Sequence, residues 1–203
     1  MKREDSRMLD THGRKLLQPF IEGTARFCIK KGLNADHITW IAFLSGVTSS
    51  FAILLGLPLP GLALLWISGY LDAVDGTVAR IQGSSSPWGT LLDITFDRLV
   101  EICIIIVLGI RSPSSGMALI LLLSSIIFSM TVFLTVGALS RNSTEKSFYY
   151  QSGLAERTEG FLFLTLMVIL KNHLTLIAAI FALIILLTGL QRMKEAYRLF
   201  SKG

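Results

Sequence analysis

Hydropathy along this chain comes in blocks, and the block length decides what it can fold into. Six apolar stretches lie at about 38–56, 60–75, 92–110, 116–139, 158–171 and 173–190. A helix needs about 20 residues to cross the ~30 Å hydrocarbon layer of a bilayer, and most of these stretches approach that length. The links between them are short: LPLP at 57–60, RSPSS at 111–115 and KNH at 171–173. Such links force neighbouring segments to run antiparallel. Ten-residue alternation of polar and apolar residues, the mark of a membrane β-barrel, is absent. With 52% hydrophobic and 16% charged residues, the composition excludes a disordered chain and argues against an ordinary soluble globule. The expected fold is an all-α integral membrane protein with six transmembrane helices in an up-and-down bundle.

Lys and Arg set the orientation. Sixteen of the nineteen lie in the segment 1–36, the 76–91 loop, the 140–157 loop and the tail after 190. Arg111 and Lys171 lie on the other side, and Arg98 lies within the third stretch. The positive-inside rule puts both termini and the two basic loops in the cytoplasm of a multi-pass cell-membrane protein. The net charge of +5 is then topology charge with some attraction to anionic headgroups, and it requires no nucleic acid. Cys28 and Cys103 form no disulfide framework. The start, MKREDSRMLD, has no apolar core of the kind a cleavable signal needs.

Residues 1–36 differ in kind. Leu16, Leu17, Phe20, Ile21, Thr24, Phe27 and Cys28 fall on one helical stripe, with Arg14, Lys15, Gln18, Glu22, Arg26, Lys30 and Lys31 mostly elsewhere. That pattern predicts an N-terminal amphipathic helix lying on the cytoplasmic leaflet, with Pro19 near its first turn. Glu4, Asp5, Asp10 and Glu22 count against a mitochondrial targeting peptide. The expected organisation is 1–36 as a cytoplasmic segment, 37–191 as the six-helix transmembrane domain and 192–203 as a cytoplasmic tail.

Four carboxylates stand where a membrane protein should avoid them. Asp72 and Asp75 close the second stretch, and Asp93 and Asp97 open the third. An ionised side chain within a span costs a few kcal/mol, about 2.5–3.5 at the centre and less near the ends. The i,i+3 and i,i+4 spacings put each pair on one helix face, and the short GTVARIQGSSSPWG link brings the pairs together. Hard oxygen ligands suit Mg²⁺ or Mn²⁺, and two divalent ions would balance four acids. The wider pattern is Asp72-x-x-Asp75-Gly76-x-x-Ala79-Arg80, eight residues, then Gly89-x-x-x-Asp93-x-x-x-Asp97. Gly76 lets the chain bend and approach a ligand closely. Ala79 keeps the helix face thin, Arg80 can fork onto a phosphate, and Gly89 leaves room for a flat base or ribose.

This pattern resembles the signature of the CDP-alcohol phosphatidyltransferase family, matching every fixed position between residues 72 and 97. Within the family the chain looks similar to phosphatidylglycerophosphate and phosphatidylinositol-phosphate synthases. Relatives often carry Pro-Asn-x-x-Thr at the start of the first span; this chain reads Ala35-Asp36-His37-Ile38-Thr39, keeping the Thr and departing at the Pro. The resemblance implies transfer of a phosphatidyl group from a CDP-linked lipid such as CDP-diacylglycerol to the hydroxyl of a small alcohol, releasing CMP. It implies one divalent ion on Asp72, Asp75 and Asp93, and a second on Asp72, Asp93 and Asp97. Thr39, Asp75, Gly76, Ala79, Arg80 and Gly89 would contact the CDP group, and Asp97 would be the general base. It also implies a homodimer.

The acceptor is less determined. Arg141 and Arg157 are the leading candidates to bind a phosphorylated polyol, glycerol 3-phosphate or inositol phosphate, ahead of Lys146, Arg192 and Arg198. Serine or a free polyol are the alternatives. Arg157, flanked by Glu156 and Glu159, is equally explained by a salt bridge, and cytoplasmic Arg by topology. Arg98 and Glu101, i,i+3 within the third stretch, read as an intrahelical or intersubunit ion pair. Trp40, Trp66 and Trp88 read as interfacial anchors or packing, and Ser45-Gly46 and Ser124-Ser125 as sites of close helix approach. A rival class, an ion or proton transporter using these carboxylates, lacks a repeat relating the two halves.

Overall fold

The structure is a computed structural model that describes residues 9–140 and 157–201. Seven α-helices account for most of it: α1 Leu9–Lys30, α2 Ala35–Leu54, α3 Pro58–Gln82, α4 Pro87–Arg111, α5 Gly116–Ser140, α6 Arg157–Ile169 and α7 Leu174–Phe200. Single 3₁₀ turns at Pro113–Ser115 and Lys171–His173 precede α5 and α7. Among the described residues, four helical segments are long and apolar enough to cross a membrane: Ala35–Leu54, Pro58–Gln82, Pro113–Ser140 and Lys171–Phe200. At 25 residues α4 has the length but carries Asp93, Asp97, Arg98 and Glu101. The 13 residues of α6 span only about 20 Å at 1.5 Å per residue.

Helix ends differ from the sequence expectation. Helix α3 runs through the anticipated 76–91 loop to Gln82 and stops at Gly83, whose φ of 62° is the left-handed conformation glycine adopts freely. Ser84 N–H donates to Ala79 O at 3.0 Å and Gly83 N–H to Arg80 O at 3.3 Å, the paired bonds of a Schellman stop. Ser86 caps α4, its Oγ accepting Gly89 N–H at 3.0 Å, with Pro87 in the first helical position. The true connector is therefore residues 83–86. Helix α7 likewise continues through the expected tail to Phe200. Pro19 lies well inside α1, not in its first turn. The helix continues past it, so one i→i−4 hydrogen bond is given up there.

The helices group into two compact units, one ending at Arg111 and the other beginning at Ser112. In the first, α2 and α3 lie against each other through small residues. Ser45, Ser49 and Ser68 donate across the seam to the carbonyls of Leu64 (3.0 Å), Gly61 (2.7 Å) and Ala42 (2.7 Å). Gly46 admits Val100 of α4, as expected from Ser45-Gly46; a Cβ there would lie 2.5 Å from a Val100 methyl. Without a hydrophobic difference between protein and lipid, such close packing and interhelical hydrogen bonds carry the association.

Helix α1 packs against α3. Ile21 and Ala25 pack among Ile38, Val74 and Val78, all buried. The Tyr70 hydroxyl donates to Phe20 O at 3.2 Å and stands 2.7 Å from Thr24 Oγ1, so Thr24 donates to Tyr70. The expected stripe is thus divided. Ile21 faces protein, while Phe20 and Phe27 stay exposed.

In the second unit α5 packs on α7, where Gly189 fits against Phe128 and Ser129. Ser124 and Ser125 donate to carbonyls of their own helix, and Ser125 is buried. Phe163 of α6 stacks on Phe181 of α7 at 4.6 Å. Arg192 lies over the Phe133 ring at 5.0 Å and donates to Ser129 Oγ at 3.3 Å.

Candidate active site

The acids meet in the first unit. Carboxylate oxygens of Asp72, Asp75 and Asp93 all lie within 4.8 Å of one another. Helix α3 supplies two of them one turn apart, and α4 supplies the third, as the spacing predicts. Asp97 does not join this trio. It sits one turn further along α4, close enough to Asp93 and Asp75 to feel their charges. Asp75 is buried and held from α2, whose Thr39 Oγ1 donates to its Oδ2 at 2.6 Å; the same hydroxyl stands 3.0 Å from Ala35 O.

Beside the acids lies a cavity of about 200 Å³. Thr39, Asp75, Gly76, Ala79, Arg80 and Gly89, the six residues the sequence pattern nominates, all line it, together with Asp93. Arg80 is exposed at the end of α3, its Nη2 donating to Thr77 Oγ1 at 2.8 Å. Gly76 does not bend the chain, because α3 runs straight through it as helix. Apart from the adjoining backbone of α3, nothing lies within 4 Å of where its Cβ would be, so its missing side chain leaves cavity space. Gly89 is tighter, a Cβ there falling 3.3 Å from Ser86 Oγ and 3.6 Å from Asp36 Oδ1.

Sequence reasoning passed over part of the wall. Asp36, Ser84, Ser85, Ser86 and Thr90 also line the cavity. For the three serines the signal was the Gly83 stop followed by Ser-Ser-Ser-Pro, which turns the chain between α3 and α4 beside the cavity. Arg141 lies outside the described residues. Arg157 begins α6 in the other unit, and its side chain is outside the described set. Arg98 and Glu101 form the intrahelical pair expected, with Nη1 to Oε2 at 2.5 Å.

Three convergent carboxylates fit a divalent cation. The donor set is all hard oxygen, with no His or Cys in the group, which suits Mg²⁺ or Mn²⁺ over Zn²⁺.

The model of the CDP-alcohol phosphatidyltransferase family matches residues 33–191. This chain belongs to that family. A phosphatidylinositol phosphate synthase of Corynebacterium glutamicum is 35% identical over 100 residues, covering 46% of this chain and 43% of that protein. The match thus spans less than half of that relative's length. The inner membrane protein YnjF of Escherichia coli is 28% identical over 200 residues, covering 94% of this chain and 96% of the relative. Among solved structures, Mycobacterium tuberculosis phosphatidylinositol phosphate synthase with CDP-DAG bound has a TM-score of 0.69 at 20% identity, covering 87% of this chain and 93% of that one. The same protein has been solved in complex with manganese and citrate, again at a TM-score of 0.69, with 21% identity and 87% and 88% coverage. These neighbours establish that the fold is shared. The family, the apolar helices and the inner-membrane relative make this a multi-pass membrane protein.

Proposed function

We propose that this family member transfers the phosphatidyl group of CDP-diacylglycerol to the hydroxyl of a small alcohol, releasing CMP. One observation carries the reading: the six residues nominated for CDP contact line a single cavity that the clustered aspartates border. Phosphoryl transfer is mainly a matter of positioning groups in line and stabilising charge. The acceptor oxygen attacks the phosphatidyl-bearing phosphorus, forming a new P–O bond as the diphosphate P–O bond breaks and CMP departs with its oxygen. Asp97 takes the acceptor's proton, and Arg80 forks onto a phosphate oxygen. Thr39 orients Asp75. Gly76, Ala79 and Gly89 keep the walls thin where base and ribose lie.

Asp72, Asp75 and Asp93 would hold one divalent ion, and by the family resemblance Asp72, Asp93 and Asp97 a second. Bound there, Mg²⁺ or Mn²⁺ would supply neutralisation of the diphosphate oxygens. The remaining features of the reading are six membrane spans, α4 and α6 included, with α1 on the cytoplasmic surface and the cavity facing the cytoplasm. Sixteen of nineteen basic residues on one side support that orientation. A homodimer follows from the family resemblance.

The favoured acceptor is inositol phosphate. The similarity to phosphatidylinositol phosphate synthases supports it, and Arg141 and Arg157 are its nominated binding residues. The test is CMP release by purified protein with CDP-diacylglycerol, Mg²⁺ and a panel of inositol phosphate, glycerol 3-phosphate, serine and inositol. Release with inositol phosphate above the rest is expected. No CMP with any alcohol would reject the transferase reading, and proton or cation flux in liposomes without CMP would favour the transporter.

A further inference from the structure

The seam between α2 and α4 changes character in regular steps. At its outer end Thr39 and Asp93 line the cavity. One turn further in, Phe43 and Phe96 stack with centroids 4.2 Å apart and planes 21° from parallel. Another turn on, Val100 fits into the space at Gly46. Offsets of four and three residues along α2, and of three and four along α4, keep these residues on one face of each helix. Trp40, adjacent to Thr39, sets its ring edge-to-face on Phe96 at 4.7 Å and lies 6.0 Å from Phe43. It remains 47% exposed. The aromatic ledge therefore begins where the polar cavity ends, on the side towards the middle of the membrane.

We infer that Trp40, Phe43 and Phe96 form the subsite for the glycerol ester and first methylenes of the donor lipid. The inference rests on the transferase reading and deepens it. A lipid whose diphosphate occupies the cavity must pass within one residue of the cavity wall from charge into hydrocarbon. Indole suits that crossing because its body is apolar while its N–H can meet an ester oxygen. The stacked phenylalanines close the α2–α4 seam beneath the acids, so the chain leaves along the exposed face of Trp40. The ledge recognises the lipid portion of the donor and leaves the nucleotide to the cavity.

The test compares dioleoyl CDP-diacylglycerol with CDP in the purified protein in mixed micelles. Trp40→Ala is expected to raise KM for the dioleoyl donor roughly tenfold and leave the Kd for CDP unchanged, with Trp40→Phe restoring most of the loss. Phe96→Leu, which keeps apolar bulk, should act in the same direction more weakly. An unchanged donor KM, or a CDP Kd that rises in parallel, overturns the inference. Binding supplies an arm that needs no turnover. The unaltered protein should hold the dioleoyl donor more tightly than CDP, and Trp40→Ala should erase that margin. Equal affinity for the two in the unaltered protein overturns the ledge alone, whereas no affinity for CDP at all overturns the functional reading together with it.

Discussion

The hydroxyl of Thr39 on α2 reaches 2.6 Å to Asp75 Oδ2 on α3, tying together two helices that each contribute to the cavity wall. The bond fixes which way a buried carboxylate points. Residues that orient a metal-binding carboxylate typically change metal affinity by about 10- to 100-fold when lost. Thr39→Val should therefore weaken Mn²⁺ binding by roughly that factor, measured by titration calorimetry, and Thr39→Ser should retain it. Wild-type affinity in the valine variant would remove Thr39 from this role.

Asp97 and Asp93 should separate in their effects. Asp97→Asn removes the proposed base and one ligand of the second ion. It is expected to lower kcat by about 10²- to 10⁴-fold while CDP still binds, more weakly, through the ion on Asp72, Asp75 and Asp93 when Mg²⁺ is present. Asp93→Asn removes a member of the converging trio and should lose both. CMP release at the normal rate by Asp97→Asn would contradict the assignment.

Gly76 offers a test in which stability and binding move in opposite directions. Its Cβ position is open, and glycine inside a helix costs up to about 1 kcal/mol relative to alanine. Gly76→Ala should raise the thermal unfolding temperature slightly and weaken CDP binding, because the new methyl enters the cavity. Tighter CDP binding would show that Gly76 does not face the nucleotide.

Gly61 tests the packing of α2 on α3. A Cβ there would meet Ile53 Cγ1 at 2.5 Å and Ser49 O at 3.1 Å. Overpacking typically costs about 1–3 kcal/mol. Gly61→Val should lower the unfolding temperature clearly, whereas valine at Gly23, with open space around its Cβ, should destabilise far less. Equal effects would argue against the close approach.

The motif made the cavity legible because its spacings are helical, and α3 and α4 are helical through every fixed position. Asp72 and Asp75, three apart, and Asp93, four before Asp97, could be placed on faces before any fold was known. Helix ends were less legible. Thr77, Val78 and Ala79 looked like a loop only because the apolar run ends near Asp75, yet helix persists until Gly83 permits a left-handed stop. Hydropathy marks where a chain meets lipid, and capping chemistry marks where a helix ends. The Phe43–Phe96 stack was hidden because it joins residues from different helices, and nothing local to either phenylalanine announces the other. Pro19 misled for a related reason: a propensity for first turns was overridden by the packing of Ile21 and Ala25 on α3.

The central claim is that the aspartates hold a divalent cation that in turn secures a nucleotide diphosphate, and calorimetric titration of CDP into the purified protein tests it most directly. Binding is expected with Mg²⁺ or Mn²⁺ present, lost with excess EDTA, restored when the cation is returned, and abolished in Asp75→Asn. CDP binding of equal strength in EDTA, or undiminished in Asp75→Asn, would contradict the account.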